Sequence, residues 1–495
     1  MKKILNLGLV ISIIGVSCIL PTKINSINVV NAKELTEYTL KDMKNVANYT
    51  KLSTGLYWFD ETNTPYKDGV INSPFDKTKP TVILVHGWEY GCTKINHFIN
   101  FNYDYVSKEI RENLVRDWIK KGYNVGIFNW IQLSDEYEVK TAEAKIWTKD
   151  YISKGKFWND RVGMRWKYSD DSFETMNIPK KSAAELFYYA YAKAMKDFKG
   201  DEIRIVGHSL GNQMAIRLMD LIDKNIKAGN IGEELMPDRV ALLDPYYSHG
   251  NKYYLNGSST SEEAFKIAKR LVDERKIVFE MYKSSSLTNG TLSGDCNSNL
   301  EKICYHVDMY PYYFRFYQQG LKHTIPIADY FWSSIYSTQK DKPLMGACLD
   351  NSSVGAMMGN AFYWYQEKGH YTIDPKDDLY VPYKLNTYIP QKDIKLSING
   401  NTINYLSRNN HSTLKLKLLN YLKINTEIYP KNATSKIVSF EKIEGDKNCI
   451  QLATNGIIKG IKPGKVLLKV YSKNLDSSGN IVNGVEKYIE IEVIL

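Results

Sequence analysis

Between residues 78 and 335 short apolar runs alternate with stretches of helical periodicity, the pattern of a mostly parallel sheet covered by helices. Thr81-Val82-Ile83-Leu84-Val85 is a near-continuous aliphatic run, as expected of a strand buried on both faces. Further strands are predicted over 124–130, 203–206, 239–243 and 277–282, with helices over 181–198 and 212–222 between them. Residues 131–180 break this rhythm with charged and aromatic sequence, including Ile146-Trp147, Phe157-Trp158 and Met164-Arg165-Trp166. That stretch reads as an insertion projecting over the sheet.

After about residue 390 helical periodicity stops. Short β-type runs take over, among them Ile437 to Phe440, Val466 to Val470 and Tyr488 to Val493. Asn455-Gly456 and Pro463-Gly464 supply turn signals between them. The pattern predicts a second, all-β domain over 391–495 behind an α/β domain over 33–390. The first 32 residues read as an export signal: Lys2 and Lys3, an apolar run from Ile4 to Leu20, Pro21, and the small-residue site Val30-Asn31-Ala32. An uncleaved membrane anchor is the competing reading of this run, which is short for a bilayer span. The expected localisation is therefore secreted or extracellular, with cell-surface association left open.

Composition narrows the classes. With 43% hydrophobic and 24% charged residues in 495, neither disorder nor a multi-span membrane protein fits. The net charge of +10 falls to +7 once the three lysines and no acids of residues 1–32 are removed. That modest excess suits anionic membrane surfaces or wall polymers, and no basic stripe argues for nucleic acid. Outside the signal, Cys92, Cys296, Cys304, Cys348 and Cys449 remain, an odd number that excludes a disulfide scaffold. Cys296 and Cys304 are near enough in sequence either to pair or to stay free thiols.

The chemistry centres on Gly207-His208-Ser209-Leu210-Gly211, a G-x-S-x-G motif that follows a predicted strand and opens a predicted helix. In that context the serine sits on a tight turn with Oγ exposed, and the glycines keep strand and helix from clashing. Nucleophilic Ser209 needs an acid and a base, which in this arrangement come later in the chain. Asp244, in Leu242-Leu243-Asp244-Pro245, follows an apolar strand where sheet carboxyl ends meet, although Asp-Pro there also suits a plain turn. His323, ahead of a helix-like run, and His306 both remain open as the base on this reading. Acyl transfer further requires oxyanion donors. Leu210 N–H should supply one, and Trp88 N–H, in Val85-His86-Gly87-Trp88, the other.

These segments appear in an order that resembles the pancreatic-type lipase family, with Phe128-Asn129-Trp130 also in place. His306-Val307-Asp308-Met309-Tyr310-Pro311 is similar to that family's G-H-V-D-F-Y-P segment, which precedes the catalytic histidine. His323, followed by Asp329-Tyr330-Phe331 and Ser334-Ile335, resembles the catalytic histidine itself, so the resemblance selects His323 over His306. It spans about 78–335 and implies an α/β-hydrolase fold and hydrolysis of lipid acyl esters by Ser209, Asp244 and His323. Two departures bear on substrate. The family's disulfide-bounded lid has no counterpart between Pro311 and His323, so a lid is absent or supplied by 131–180. Reduced lids accompany phospholipid substrates in the family, which leaves triacylglycerol and phospholipid both open. The calcium-ligand cluster is not evident in 246–258, so neither metal nor cofactor is expected. Residues 310–318 form either an aromatic acyl-binding wall or packing beneath the catalytic loop.

The C-terminal segment resembles group-two bacterial immunoglobulin-like domains through 429–434, 456–460 and 464–466. That resemblance implies a spacer or a module binding a cell-surface or wall polymer. A peptidase or thioesterase on the same fold, or an inactive fold serving as an adhesin, remain the alternatives to an esterase.

Overall fold

The computed structural model describes residues 53–94, 113–150, 163–176, 178–288, 294–295, 297–311, 314–334, 346–368, 378–453 and 455–495. The export signal, Cys296, Phe157-Trp158 and Ile335 lie outside these residues. The described strands of the first region are β1 (Gly55–Phe59), β2 (Pro65–Lys67), β3 (Thr81–Val85), β4 (Asn124–Asn129), β5 (Trp166–Lys167), β6 (Phe173–Glu174), β7 (Ile203–His208), β8 (Arg239–Leu243), β9 (Val278–Lys283), β10 (Tyr305–Asp308), β11 (Phe362–Glu367) and β12 (Leu379–Lys384). All but the small β5–β6 hairpin join one ten-stranded sheet in the order β12-β11-β10-β9-β8-β7-β3-β4-β1-β2.

From β4 through β11 every neighbouring pair is parallel, while at the two edges β1 pairs antiparallel with both β4 and β2, and β12 pairs antiparallel with β11. Every residue of β3, β7, β8 and β9 is buried, which is why β3 reads as a near-continuous apolar run, while Arg204, Arg239 and Glu280 enter the other strands as buried charges. Helices Val139–Trp147, Ala183–Ala194, Gly211–Lys227 and Thr260–Arg275 pack in sequence against one another, and helix Leu114–Lys120 packs against helix Gln319–Ser333. The Trp118 indole N–H donates to Phe331 O at 2.7 Å across that second contact. This sheet and its helices fit an α/β-hydrolase fold. The chain steps from β3 outward to β4 and then returns to the other side of β3 as β7. The carboxyl ends of β3 and β7 therefore flank a switch point, where such sheets bind ligands.

The described part of 131–180 carries its charge inward: residues 131–136 and 141–147 are buried, and the β5–β6 hairpin forms a small sheet of its own. Buried Glu136 meets Lys145 at 2.6 Å and Arg165 at 2.5 Å, and buried Asp135 meets Lys167 at 3.3 Å. Trp147 is likewise buried, its indole N–H donating to Gln213 Oε1 at 2.7 Å. Ion pairing lets charged sequence enter an interior, which composition by itself does not reveal.

The G-x-S-x-G glycines are demanded by packing. A Cβ on Gly207 would lie 2.6 Å from Gly211 O, and one on Gly211 would lie 2.8 Å from His86 O and closer still to Val85 O. Since Val85 belongs to the central strand β3, its carbonyl cannot move aside. Gly211→Ala is expected to cost about 3 kcal/mol or more, the upper end of overpacking effects, read as a lower urea midpoint with unchanged slope.

Beyond β12, the strands fall into small sheets of three, two, four and three strands around an apolar core of their own, from Ile394 to Val493. The long hairpin Gly464–Leu475 and Ile481–Ile494 is its largest piece. This unit touches the first region: the Gln451 amide donates to Phe198 O at 2.8 Å, and Ile437 packs where Gly355 leaves room for it. Among the described residues Cys304 is a buried free thiol; Cys296, its candidate partner, lies outside them. Among the described residues no helix is long and apolar enough to cross a membrane.

Candidate active site

Ser209 stands between β7 and helix Gly211–Lys227 with φ +55°, a left-handed conformation that costs a non-glycine residue about 1 kcal/mol or more. The turn is held from both sides. Ser209 N–H donates to Leu243 O at 3.1 Å, and the Asn212 amide donates to Ser209 O and Leu243 O, each at 2.9 Å. Asn212 thus ties the serine turn directly to the end of β8. The helix begins two residues after this serine, so its positive end faces the same spot.

Asp244 follows β8, fully buried and also at positive φ, +39°. Its Oδ2 lies 2.6 Å from His323 Nδ1. Ser284 N–H and Ser285 N–H reach its Oδ1 at 2.9 and 3.3 Å, Thr288 Oγ1 donates to Oδ1 at 3.2 Å, and Ser285 Oγ donates to Oδ2. Burial pushes this carboxyl up, but His323 and the Ser285 and Ser284 donors outweigh it and hold it below the usual aspartate range. Aspartate is therefore the stable form, and it acts as an acceptor towards His323 Nδ1–H. His306, the competing histidine, turns away from this pair and meets Asp308 at 3.3 Å.

His323 occupies a different local setting from the one expected. It lies inside helix Gln319–Ser333 rather than ahead of it, because the helix starts earlier and accommodates Pro326. A proline there removes one helical N–H and leaves the carbonyl four residues back, on Lys322, without its helical partner. Ser284 Oγ donates to that carbonyl at 2.6 Å. Tertiary hydrogen bonding thus pays for the break.

The loop after β3 brings Gly87 onto the serine: a Cβ there would sit 2.6 Å from Ser209 Cβ and 3.0 Å from its Oγ. His86 and Asp135 fix this loop. Trp130 N–H donates to His86 Nε2 at 3.1 Å, so the ring carries its proton on Nδ1, 3.0 Å from Gly87 O. Asp135 accepts Gly91 N–H at 2.8 Å and Thr93 N–H at 2.9 Å, and the Trp88 indole donates to Glu136 O at 2.7 Å. Leu210 caps the helix start. Among the described residues, neither Leu210 N–H nor Trp88 N–H donates to a protein acceptor.

The residues expected from sequence thus gather at the carboxyl ends of adjacent strands: Trp88 after β3, Ser209 and Leu210 after β7, Asp244 after β8, His323 beyond β10. Ser284, Ser285 and Thr288, the donors around Asp244, were not foreseen. Three serines directly after the strand neighbouring β8 are the signal that could have found them. Of the aromatic segment 310–318, Phe314 is buried while Phe316 and Tyr317 are exposed; residues 312–313 lie outside the described ones.

No protein-family model matches the chain, and no curated protein matches it. The pancreatic-type lipase resemblance therefore has no family match behind it. Among solved structures the chain is similar to MenH from S. aureus, at 10% identity and a TM-score of 0.24 over 56% of this chain and 93% of that one. It is also similar to two siderophore hydrolases from Aspergillus nidulans. EstB matches at 12% identity and a TM-score of 0.20 over 44% of this chain and 61% of its own, EstA at 10% and 0.22 over 50% and 71%. Likenesses of this strength carry no argument, and the fold assignment rests on strand order and the helices that cover the sheet.

Proposed function

We propose that this chain is an exported serine hydrolase that cleaves carboxylic esters of acyl lipids. The observation that carries the reading is the pair of buried Asp244 and half-buried His323, 2.6 Å apart, beside the strained Ser209 turn at the carboxyl edge of one parallel sheet. Ser209 Oγ attacks the ester carbonyl as its proton passes to His323 Nε2. Asp244 holds the imidazole through Nδ1 and stabilises the imidazolium that forms. Leu210 and Trp88 N–H groups receive the charge developing on the carbonyl oxygen. His323 returns the proton to the leaving alcohol, and water then cleaves the acyl-serine by the same route in reverse.

Triacylglycerols and phospholipids both remain within the proposal, and the exposed Phe316 and Tyr317 beside the His323 helix suit an apolar acyl substrate. Export rests on the charged and apolar pattern of residues 1–32, and an immunoglobulin-like role for the C-terminal unit, with a cell-surface or wall polymer as its ligand, on the segments quoted above. The test uses p-nitrophenyl butyrate and palmitate together with a fluorophosphonate probe. Turnover of either ester, with one adduct mapped to the Ser209 peptide, is the expected result. Folded protein inert to both esters and to the probe would overturn the reading and leave a surface adhesin as the better one.

A further inference from the structure

His323 is gripped by more than Asp244. Its own backbone carbonyl lies 2.7 Å from the Nε2 of His208, the residue immediately before the serine. A carbonyl only accepts, so His208 carries its proton on Nε2. The two rings lie 4.7 Å apart between centroids. Burial and the neighbouring His323 push the His208 imidazole down to about 3, so it remains a neutral donor at working pH. The preceding carbonyl, on Lys322, takes the hydroxyl of Ser284, whose own N–H reaches Asp244. That carbonyl is open because Pro326 offers the helix no N–H.

We infer that His208 is a positioning residue for His323, holding its carbonyl while Ser284 holds the one before it, which Pro326 leaves open. The inference rests on the proposed roles of Ser209, Asp244 and His323. Three short links then join the base to its two partners. One is the side-chain bond to Asp244, one runs to the residue next to the serine, and one runs to a residue that also donates to the acid. Each link starts from the end of β7, β8 or β9, so the helix bearing His323 is registered on the sheet itself. An imidazole that must accept a proton from one side and return it to another loses rate steeply when misplaced, without any loss of substrate binding.

His208→Leu removes the donor and keeps an apolar side chain in its place; His208→Gln restores a donor at a similar reach. With p-nitrophenyl butyrate, His208→Leu is expected to lose at least about tenfold in kcat with KM within about twofold, and His208→Gln to recover most of that loss. The pH profile of His208→Gln should keep the wild-type shape, since a neutral donor contributes no ionisation. Ser284→Ala, which removes one hydroxyl from a half-buried position, should lose about threefold in kcat alone. Undiminished kcat in His208→Leu, or a His208→Gln variant as impaired as His208→Leu, would overturn the inference while Ser209 remained the mapped nucleophile. If His208→Leu does not fold, undiminished kcat in Ser284→Ala overturns it instead. A wild-type protein inert towards ester and fluorophosphonate alike removes the proposed function, and this inference with it.

Discussion

Replacement of Ser209 by alanine is expected to abolish ester hydrolysis, lowering kcat by about 10⁶-fold and leaving only the small residual rate that binding and oxyanion donors provide. Stability should hardly change. Serine and alanine share the Cβ that makes φ +55° costly, so the strain is carried equally by both. Glycine separates the two effects. Ser209→Gly should be as inactive as Ser209→Ala yet unfold at a higher temperature, by the worth of about 1 kcal/mol, because glycine adopts this conformation without strain. Initial rates with p-nitrophenyl butyrate and paired thermal melts check both halves. Substantial activity in Ser209→Ala would remove the serine from the mechanism, and equal melts for alanine and glycine would remove the strain.

Asp244→Asn should be nearly as damaging, with kcat down about 10⁴-fold and KM little altered. The reason lies in the donors around the carboxylate. Ser284 N–H, Ser285 N–H and Thr288 Oγ1 all point at Oδ1, so an asparagine must place its carbonyl oxygen there. Its NH₂ then faces His323 Nδ1, which is forced to accept. The imidazole would carry its proton on Nε2, the atom that must receive the proton of Ser209. Asn thus preserves shape and reverses the tautomer. The carboxylate is held below the usual aspartate range, so it stays charged wherever an ordinary aspartate would. Loss of wild-type activity just below neutrality would therefore report a group other than Asp244. A pH–rate profile of both proteins, with circular dichroism to verify the fold, tests the argument; an Asn variant within tenfold of wild type would exclude the proposed role.

How far the sequence reaches depends on whether a feature is local. The strands over 81–85 and 239–243 fall where the apolar runs place them, because a strand buried on both faces leaves an uninterrupted apolar signature. The turn at Ser209 is equally local: strand, glycine-framed pentapeptide and helix are all contiguous. The partners of the charges at 135 and 136 were not legible, because their pairing is not local. Asp135 and Glu136 find Lys145, Arg165 and Lys167 only after the chain has folded back, and before that they look like solvated charge.

The sequence by itself determined a parallel sheet with covering helices, a β-type unit after residue 390, a serine on a tight strand-to-helix turn, and an acid after the following strand. The three-dimensional fold decided which histidine meets that acid. His306 and His323 are 62 and 79 residues beyond Asp244, and only the packing of helix Gln319–Ser333 brings one of them to 2.6 Å. It likewise decided the surroundings of the pair: Ser284, Ser285 and Thr288 on the carboxylate, and His208 on the histidine's carbonyl beside the Lys322 carbonyl that Pro326 leaves open. Hydrogen bonds between residues distant in sequence depend on position and direction in space, and residue type and periodicity record neither.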